Sequence, residues 1–432
     1  MTVTSATGRT VRRLRESELL SDSLFRNSAF LLLGTAVLAA GGFLFWQMAA
    51  NMFSPADVGR ASALVSASTL IANLALLGMN NSLIKYLHVW PDQAATANTG
   101  LAVVTAAAAL GAGGFVLVSG WLAPQLGLLQ PRDAAFFVVF SAALAASMVN
   151  DSVFVSLRRS GYILSRNTVM VLVRLTLPFA VVTLGAFGIF TAYQAAVGLA
   201  LPVYLIVLKR RFGISTRLRA RWGRLTAMWR YSAGNYIATA ILMLPNLIMP
   251  VLVAQRVGPA QAAYYYIAAM LAGVLSFVPQ ATSRSFFAEV THDIQSLRTS
   301  LRRVIRLTAL AQAPILLVLI AAGPFALALF GPAYTGAYPL LVVLGLGGAL
   351  TSVGFVGSTL LMLIGRLRLM CGLSAVACAV TLVGAYLLAD RGLIWIGWSL
   401  VLGELFLSVA YVVLVARIVA SSGTTVPTGS AP

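Results

Sequence analysis

The sequence predicts an all-α polytopic membrane protein with about twelve transmembrane helices, and three observations support that class. Hydrophobic residues make up 59% of the chain and charged residues only 9%, which excludes an ordinary soluble domain. The apolar residues form segments of about 20 residues or more, the length that a helix needs to cross a bilayer. Basic residues alternate between the gaps that separate those segments.

The predicted spans follow one another with short gaps, six in each half of the chain. They occupy residues 28–50, 60–84, 96–119, 134–156, 166–186, 189–208, 232–254, 263–283, 307–330, 338–364, 370–389 and 393–416. We therefore expect a basic cytoplasmic arm, a six-helix bundle, a basic linker, a second six-helix bundle and a disordered tail. These parts cover residues 1–27, 28–208, 209–231, 232–417 and 418–432.

The distribution of basic residues predicts which side of the membrane the termini occupy. Of the 30 Lys and Arg residues, 25 lie in the N-terminal arm, in every second gap or in the tail. Because Lys and Arg accumulate in short cytoplasmic loops, both termini are predicted to be cytoplasmic. Topology and contacts to anionic membrane lipids account for the net charge of +19, so we expect no nucleic-acid partner.

The two halves of the chain repeat each other. A gapless shift of 204 residues pairs Ser28-Ala29 with Ser232-Ala233 and, in the turn after the first span, Pro55-Ala56 with Pro259-Ala260. Six spans per half is an even number, so both halves run in the same direction. Such parallel repeats are related by an axis along the membrane normal.

The same shift places Gly41-Gly42 opposite Pro245-Asn246, near the middle of the first helix of each half. Proline removes a helix hydrogen bond and paired glycine loosens a helix, so both helices are predicted to be interrupted. Interruptions at matching positions indicate a transporter's substrate site, with Asn246 as a candidate binding residue. The alternative is that Gly and Pro are simply frequent in membrane helices.

Residues 217–230 predict a helix that lies in the cytoplasmic interface and anchors the linker. Its apolar and basic residues recur at helical spacing, which directs the arginines toward lipid phosphates. The residues concerned are Leu218, Trp222, Leu225 and Trp229, with Arg217, Arg221 and Arg224.

Charged residues deep inside a span are costly and are functional candidates by default. Arg174 lies inside the fifth span, where its guanidinium group could bind a diphosphate as a bidentate donor. The alternative is an ion pair with Asp151 on the preceding helix, across a connecting turn centred near Gly161, and the two roles are compatible. Asp151 is also a candidate for ion coupling.

Polar side chains form a stripe on one face of the second span and another on the eighth span. The stripes consist of Asn73, Asn80, Asn81 and Lys85, and of Ser276, Gln280 and Arg284. They predict a hydrophilic cavity that is basic toward the cytoplasm and binds an anionic headgroup. The alternative for Lys85 and Arg284 is ordinary snorkelling at a helix end.

Glu404 is, with Asp151, one of two carboxylates near the middle of a span. It could take a proton or Na⁺ and couple transport to an ion gradient, or it could be a buried hydrogen-bonding group between helices. No Cys and His residues cluster in the sequence, so we expect no metal site and no other cofactor. We also expect no catalytic residues.

Four segments resemble bacterial polysaccharide flippases, the O-antigen and capsule translocators of the multidrug/oligosaccharidyl-lipid/polysaccharide exporter superfamily. The segments are FSPADVGRASALVSASTLIANLALLGM (53–79), LFGPAYTGAYPLL (329–341), MLIGRLRLM (362–370) and RGLIWIGWSLVLGEL (391–405). Their order and spacing together extend the resemblance over nearly the whole chain.

The resemblance implies two six-helix bundles around a central cavity lined by helices 1, 2, 7 and 8. It implies alternating access, a polyprenyl-diphosphate-linked oligosaccharide as cargo and a place in the bacterial cytoplasmic membrane. Polysaccharide-assembly proteins are then candidate partners. Arg174 matches a basic position seen in many members, whereas the fourteen helices typical of lipid II flippases are not matched here.

Two other functions compete with the flippase interpretation. A cation-coupled multidrug antiporter of the same superfamily would favour acidic cavity residues, whereas this cavity is predicted to be basic. A membrane glycosyltransferase or glycan polymerase needs catalytic residues in substantial external loops. The longest external gap runs only from about Gly120 to Asp133.

Overall fold

The computed structural model describes residues 4–128, 130–216, 219–292 and 297–421, and the regular elements within those ranges are all helical. The helices form two sets of seven in chain order. The first set is α1 Thr4–Met52, α2 Pro55–Ala75, α3 Met79–Tyr86, α4 Gln93–Leu122, α5 Pro131–Ser156, α6 Gly161–Thr176 and α7 Gly185–Phe212. The second set is α8 Trp222–Arg256, α9 Pro259–Ala272, α10 Phe277–His292, α11 Leu297–Ala328, α12 Tyr338–Leu363, α13 Leu367–Leu388 and α14 Leu393–Ser421.

The predicted class, a helical protein with many membrane spans, is confirmed. Among the described residues, eleven helical segments are long and apolar enough to cross a membrane. The remaining predicted span, the seventh, corresponds to Ala240–Arg256, a shorter apolar stretch of α8. Helix α1 starts at Thr4, so the predicted basic arm forms the first part of this helix from Thr4 onward. Of the predicted tail, residues 422–432 lie outside the described part of the chain.

The second predicted span of each half is split, which is why each set has seven helices instead of six. In the first half, Leu77 and Gly78 separate α2 from α3 and take positive φ values of 48° and 76°. In the second half, the 3₁₀ turn Gly273–Ser276 separates α9 from α10. Pro279 explains this second break, because its missing N–H cannot donate to the carbonyl group of Leu275.

The split helices begin at the residues that the sequence repeat aligns. Helix α2 begins at Pro55 and α9 at Pro259, and proline suits the first position of a helix. Before α2, the Ser54 hydroxyl accepts the N–H of Asp57 at 3.2 Å, which caps the helix. The helix after the turn therefore begins with proline in both halves, whereas its N-cap residue differs, since Gly258 stands before α9 and has no capping side chain.

The first helix of each half is continuous, contrary to the expected interruptions. Helix α1 runs unbroken through Gly41-Gly42, and α8 runs through Pro245 and Pro250. Gly41 serves packing instead, because a Cβ atom there would lie 2.3 Å from a methyl group of Val171 in α6. Proline inside α8 is tolerated because neighbouring groups can satisfy the freed carbonyl groups of a membrane helix.

The predicted interfacial helix of the linker is also not a separate element. Helix α8 begins at Trp222 and continues without a break to Arg256, while residues 217 and 218 lie outside the described residues. Arg224 donates to the carbonyl oxygen of Asp92 at 2.7 Å and to the Thr96 hydroxyl at 2.8 Å. Arg221 pairs with the Asp92 carboxylate at 3.4 Å. These two arginines therefore bind the start of α4, whereas the sequence predicts that they contact lipid phosphates.

The chain folds into two compact units. The first comprises Met1–Ala49, Ile71–Trp121 and Gly127–Ala233, and the second comprises Ala50–Leu70, Leu122–Leu126 and Gly234–Pro432. The first part of α2, which the sequence assigned to the first bundle, thus belongs to the second unit. The physical reason is a close approach of the α2 and α9 backbones at Gly59, where a Cβ atom would lie 1.7 Å from the carbonyl oxygen of Pro259. Glycine lets the two backbones meet at this point.

Candidate functional sites

Lys85, in the last turn of α3, lies among aromatic rings of the first unit. Its Nζ atom is 3.8 Å from the ring centroid of Tyr231 and 5.2 Å from that of Tyr86. Tyr86 stacks on Trp90, with ring centroids 4.6 Å apart. A ring face attracts an ammonium group without neutralising it, so Lys85 is an exposed cation held in a defined place.

The three asparagines of the first predicted stripe do not share one continuous helix face. The break after α2 separates Asn73 from Asn80 and Asn81, which lie in the first turn of α3, and all three are half-buried. Helix α3 is fixed separately, because the hydroxyl of Ser82 donates to a main-chain carbonyl group of α8 at 2.6 Å. The stripe is therefore corrected to two short groups, one on each side of the break.

The second predicted stripe is divided in the same way. Ser276 lies in the 3₁₀ turn, whereas Gln280 and Arg284 lie one turn apart on α10. Gln280 is half-buried and Arg284 is exposed, and Arg284 pairs with no carboxylate among the side chains that the structure describes. Thr282 and Thr308 share a hydrogen bond of 2.7 Å that fixes α10 against α11. Each unit thus presents one exposed cation on the second half of its split helix.

Arg174 is buried in the first unit, with 5% of its surface exposed. It occupies the last turn of α6, where a cation is favoured by the helix dipole. Its Nε donates to the carbonyl oxygen of Tyr193 at 3.0 Å, and the guanidinium group lies 3.8 Å from the centroid of the Tyr193 ring. Phe45 and Trp46 of α1 pack on the same ring. Arg174 is therefore held by protein groups and does not pair with Asp151.

Asp151 pairs with Arg166, the first residue of the predicted fifth span. Arg166 is 4% exposed and donates to Ser147 twice, at 3.2 and 2.9 Å, to Asp151 at 2.8 Å and to the side chain of Asn167 at 2.9 Å. Asn167 donates onward to the carbonyl oxygen of Gly34 at 3.1 Å. This network joins α1, α5 and α6, and it weakens Asp151 as a candidate for ion coupling.

Glu404 lines a small cavity in the second unit, with a mixed polar and apolar lining. The cavity has a volume of about 120 Å³ and adjoins another of about 50 Å³, and Asn246 and Glu404 line both. A water molecule needs about 10–15 Å³, so the larger cavity has room for several. Ser276 and Thr351 also line the first cavity, and Thr381 lines the second. No basic side chain pairs with Glu404 among those that the structure describes.

The structure also contains an apolar cavity that the sequence did not predict. It has a volume of about 660 Å³ and lies between α11, α12 and α14 in the second unit. Among its few polar residues, Gln312 is occupied in donating to the carbonyl oxygens of Leu275 and Gly348, at 3.2 and 3.0 Å. Such a lining suits a hydrocarbon chain better than a charged group. In the described residues, no three His, Cys, Asp or Glu side chains lie close enough to hold a metal ion.

Residues 24–282 match the family described as "Polysaccharide biosynthesis protein". None of the curated proteins matches the sequence. The fold is similar to that of an inward-facing multidrug resistance MATE family transporter of the MOP superfamily, with a TM-score of 0.71 at 15% identity. That match covers 91% of this chain and 96% of the transporter.

Two further solved structures have the same fold. The outward-facing conformation of a multidrug resistance MATE family transporter gives a TM-score of 0.61 at 13% identity, covering 93% of this chain and 96% of that one. A MOP superfamily transporter from Pyrococcus furiosus gives a TM-score of 0.63 at 13% identity, with the same coverage. That transporter is described as having a binding pocket of reversed polarity, which suggests a different function for it. At such identities the likeness concerns the fold, which is that of membrane transporters.

Proposed function

Since this chain belongs to the family of polysaccharide biosynthesis proteins, we propose that it is a flippase for a lipid-linked glycan. Its cargo is an oligosaccharide joined through a diphosphate to a polyprenyl lipid, and it moves this cargo across the bacterial cytoplasmic membrane by alternating access. The product serves cell-surface polysaccharide biosynthesis. The protein acts as a transporter and changes no covalent bond of the cargo.

The observation that carries this proposal is the exposed cation on the split helix of each unit. Lys85 on α3 and Arg284 on α10 are both accessible, and neither is paired with a carboxylate among the described side chains. A diphosphate loses hydration when it enters the membrane, at a cost on the order of tens of kcal/mol if nothing replaces the water. Guanidinium and ammonium groups replace that water with charge-assisted hydrogen bonds.

The neighbouring side chains support this role. Tyr231 holds the Lys85 ammonium group by its ring face, which leaves the charge available to an anion. Asn80, Asn81 and Gln280 are half-buried amides on the same two helices and can donate to sugar hydroxyl groups or phosphate oxygens. The polyprenyl tail needs no such groups, because it stays in hydrocarbon, and the apolar cavity of the second unit offers a similar environment.

The test is flipping of a fluorescent, diphosphate-linked oligosaccharide by the purified protein in proteoliposomes. We expect Lys85→Gln and Arg284→Gln each to lower the initial rate per folded molecule about tenfold, the effect of losing one charged hydrogen bond. Lys209→Gln, which removes an exposed cation from the end of α7, is the control and should change the rate less than about twofold. Equal rates for all three variants would refute the role of the two cations.

We also propose that Glu404 couples transport to an ion gradient. The carboxylate lines a cavity with room for water and has no basic partner among the described side chains, so a proton or Na⁺ can neutralise it there. Asn246, Ser276 and Thr351 supply oxygen atoms around the same cavity. These are the ligand types that a small hard cation prefers.

For this second proposal we expect Glu404→Gln to leave the protein folded and to abolish the response of the flipping rate to an imposed gradient. Glu289→Gln is the matched control, because Glu289 is an exposed carboxylate that pairs with Arg303. A gradient response of wild-type size in Glu404→Gln would leave Glu404 only a packing role.

A multidrug antiporter is the second candidate function, and Glu404 is the observation that favours it. A carboxylate that lines a cavity and has no basic partner among the described side chains could bind an organic cation as well as a small ion. Deletion of the gene separates the two candidates. Loss of surface glycan with unchanged drug tolerance supports the flippase, whereas drug sensitivity with normal surface glycan supports the antiporter.

A further inference from the structure

Three arginines line one cavity of the first unit, away from the residues assigned above to cargo. Arg26, Arg158 and Arg159 border a space of about 480 Å³ between α1, the turn from α5 to α6, and the start of α6. That volume is within the range of small-molecule sites, about 300–1,000 Å³. None of the three pairs with a carboxylate among the side chains that the structure describes. The cavity therefore concentrates positive charge that the described protein groups leave unbalanced.

Arg158 occupies a backbone position that normally takes glycine. Helix α5 ends in a Schellman turn, in which the N–H of Arg158 donates to Val155 and that of Arg159 donates to Phe154, both at 3.0 Å. Arg158 has a φ of 53°, in the left-handed region that side chains other than glycine disfavour.

The second unit makes the same turn between α12 and α13, and there the left-handed residue is Gly365, with a φ of 74°. Only the first unit places a guanidinium group at this position, at a cost in backbone strain. Strained residues of this kind cluster at binding sites, where the side chain has a use that offsets the strain.

Helix α1 supplies the rest of the cavity wall. The side-chain oxygen of Asn27 accepts the N–H of Ser160 at 3.1 Å, which fixes the turn against α1. Phe30 approaches to 3.5 Å from the position that a Cβ atom of Gly161 would take, and Tyr162 also lines the cavity. Both α1 and the α5–α6 segment thus contribute basic and aromatic side chains to the wall.

Lipid phosphate fits this chemistry. Arg26 precedes the first span and the α5–α6 turn lies in the fourth gap, so the sequence places the cavity on the cytoplasmic side. Guanidinium groups bind phosphate oxygens as bidentate donors, and basic pockets between membrane helices on that side bind anionic headgroups. Tyrosine and phenylalanine suit the depth at which a headgroup joins its acyl chains.

We propose that this cavity binds the phosphate group of an anionic lipid from the cytoplasmic leaflet. The assignment is independent of the cargo and would hold for an antiporter as well as for a flippase. It makes the turn between α5 and α6 a point of lipid recognition.

The experiment uses variants that remove charge and preserve the turn. Arg158→Gly introduces the residue that the second unit uses at the same place, so it relieves strain and should fold. Arg159→Gln keeps a polar side chain that can donate hydrogen bonds and removes the charge. Arg210→Gln is the matched control, because Arg210 is an exposed arginine at the end of α7 and does not line the cavity.

Thermal unfolding of the full-length protein in a neutral detergent, titrated with short-chain phosphatidylglycerol, measures binding. We expect each cavity variant to raise the apparent Kd about fivefold and the double variant about thirtyfold, from the contribution of one basic residue near anionic lipid. The control should bind like wild type, and phosphatidylcholine should give no saturable shift.

Two results would overturn the proposal. One is an unchanged apparent Kd in the double variant, provided that its unfolding temperature without lipid shows that it is folded. The other is an equal shift with inorganic phosphate alone at the same concentration, which would identify a site for a soluble anion instead of a lipid. The flipping rate is not the readout, so failure here leaves the transport proposal standing.

Discussion

The network around Arg166 should be a principal source of stability in the first unit. Arg166 is 4% exposed and donates hydrogen bonds to Ser147, Asp151 and Asn167. Replacement by methionine keeps an unbranched apolar stem and removes the charge and the donors of the guanidinium group. Breaking a buried ion pair by removing one partner costs about 3–5 kcal/mol. We therefore expect Arg166→Met to cost about 3–5 kcal/mol, because Asp151 would keep its charge and lose the guanidinium group paired with it.

A double-mutant cycle isolates the part that the ion pair contributes. Asp151→Asn removes the charge and keeps an acceptor, so Arg166 loses its counter-charge and retains its bonds to Ser147 and Asn167. We expect about 2 kcal/mol for that variant, the usual cost of weakening one hydrogen bond to a charged group. The double variant should cost about 1–2 kcal/mol less than the sum of the two, since contacting residues couple by about 0.5–3 kcal/mol.

The assay is the free energy of unfolding in mixed micelles, followed by circular dichroism as the fraction of denaturing detergent rises. Arg211→Met, at the exposed end of α7, is the control and should change the free energy by less than about 0.5 kcal/mol. If the losses of the two single variants simply add in the double variant, Arg166 and Asp151 are not coupled and the assignment is wrong.

Two further substitutions test packing and burial. Gly59→Ala places a Cβ atom 1.7 Å from a backbone oxygen of α9. We expect the free energy of unfolding to fall by at least about 1–3 kcal/mol, the usual cost of an overpacked contact. Gly42→Ala is its control, because a Cβ there meets nothing within 4 Å, and equal yields of folded protein would contradict the close approach. Arg174→Lys should lower the free energy of unfolding by about 1–2 kcal/mol, since lysine cannot both stack on Tyr193 and donate as Nε does. Flipping per folded molecule should persist, and its loss would show that Arg174 contacts cargo.

The helical class and the repeat could be predicted because they depend on residue spacing alone. A span needs only length and apolar composition, and the aligned prolines Pro55 and Pro259 both fit the first position of a helix. The break between α9 and α10 could also have been predicted, since Pro279 removes the helix hydrogen bond to the carbonyl group four residues before it. The break at Leu77 was not, because a leucine with a φ of 48° contradicts its own backbone preference.

The ion pair of the first unit was missed because the turn was placed a few residues too late. A turn centred near Gly161 predicts Arg174 as the partner of Asp151. The Schellman turn lies between α5 and α6, with its centre between Arg158 and Arg159, and Asp151 and Arg166 are then equally far from it in sequence. Antiparallel helices joined by a short turn pair residues by that symmetry, so an error of two residues in the turn exchanged one arginine for another.

The burial of each basic side chain indicates whether it can contact the cargo. It favours different residues from those that depth inside a predicted span favours. Its depth in the fifth span made Arg174 the first candidate for cargo binding. Arg166 and Arg174 are both buried, however, and hydrogen-bonded to other groups of the protein. A phosphate could reach either one only after those bonds were broken, and it would leave buried acceptors without donors. Lys85 and Arg284 lie nearer the helix ends, where snorkelling was the simpler explanation, but they are exposed on the split helices. A cation that the protein positions without neutralising it is the better candidate for an anionic substrate.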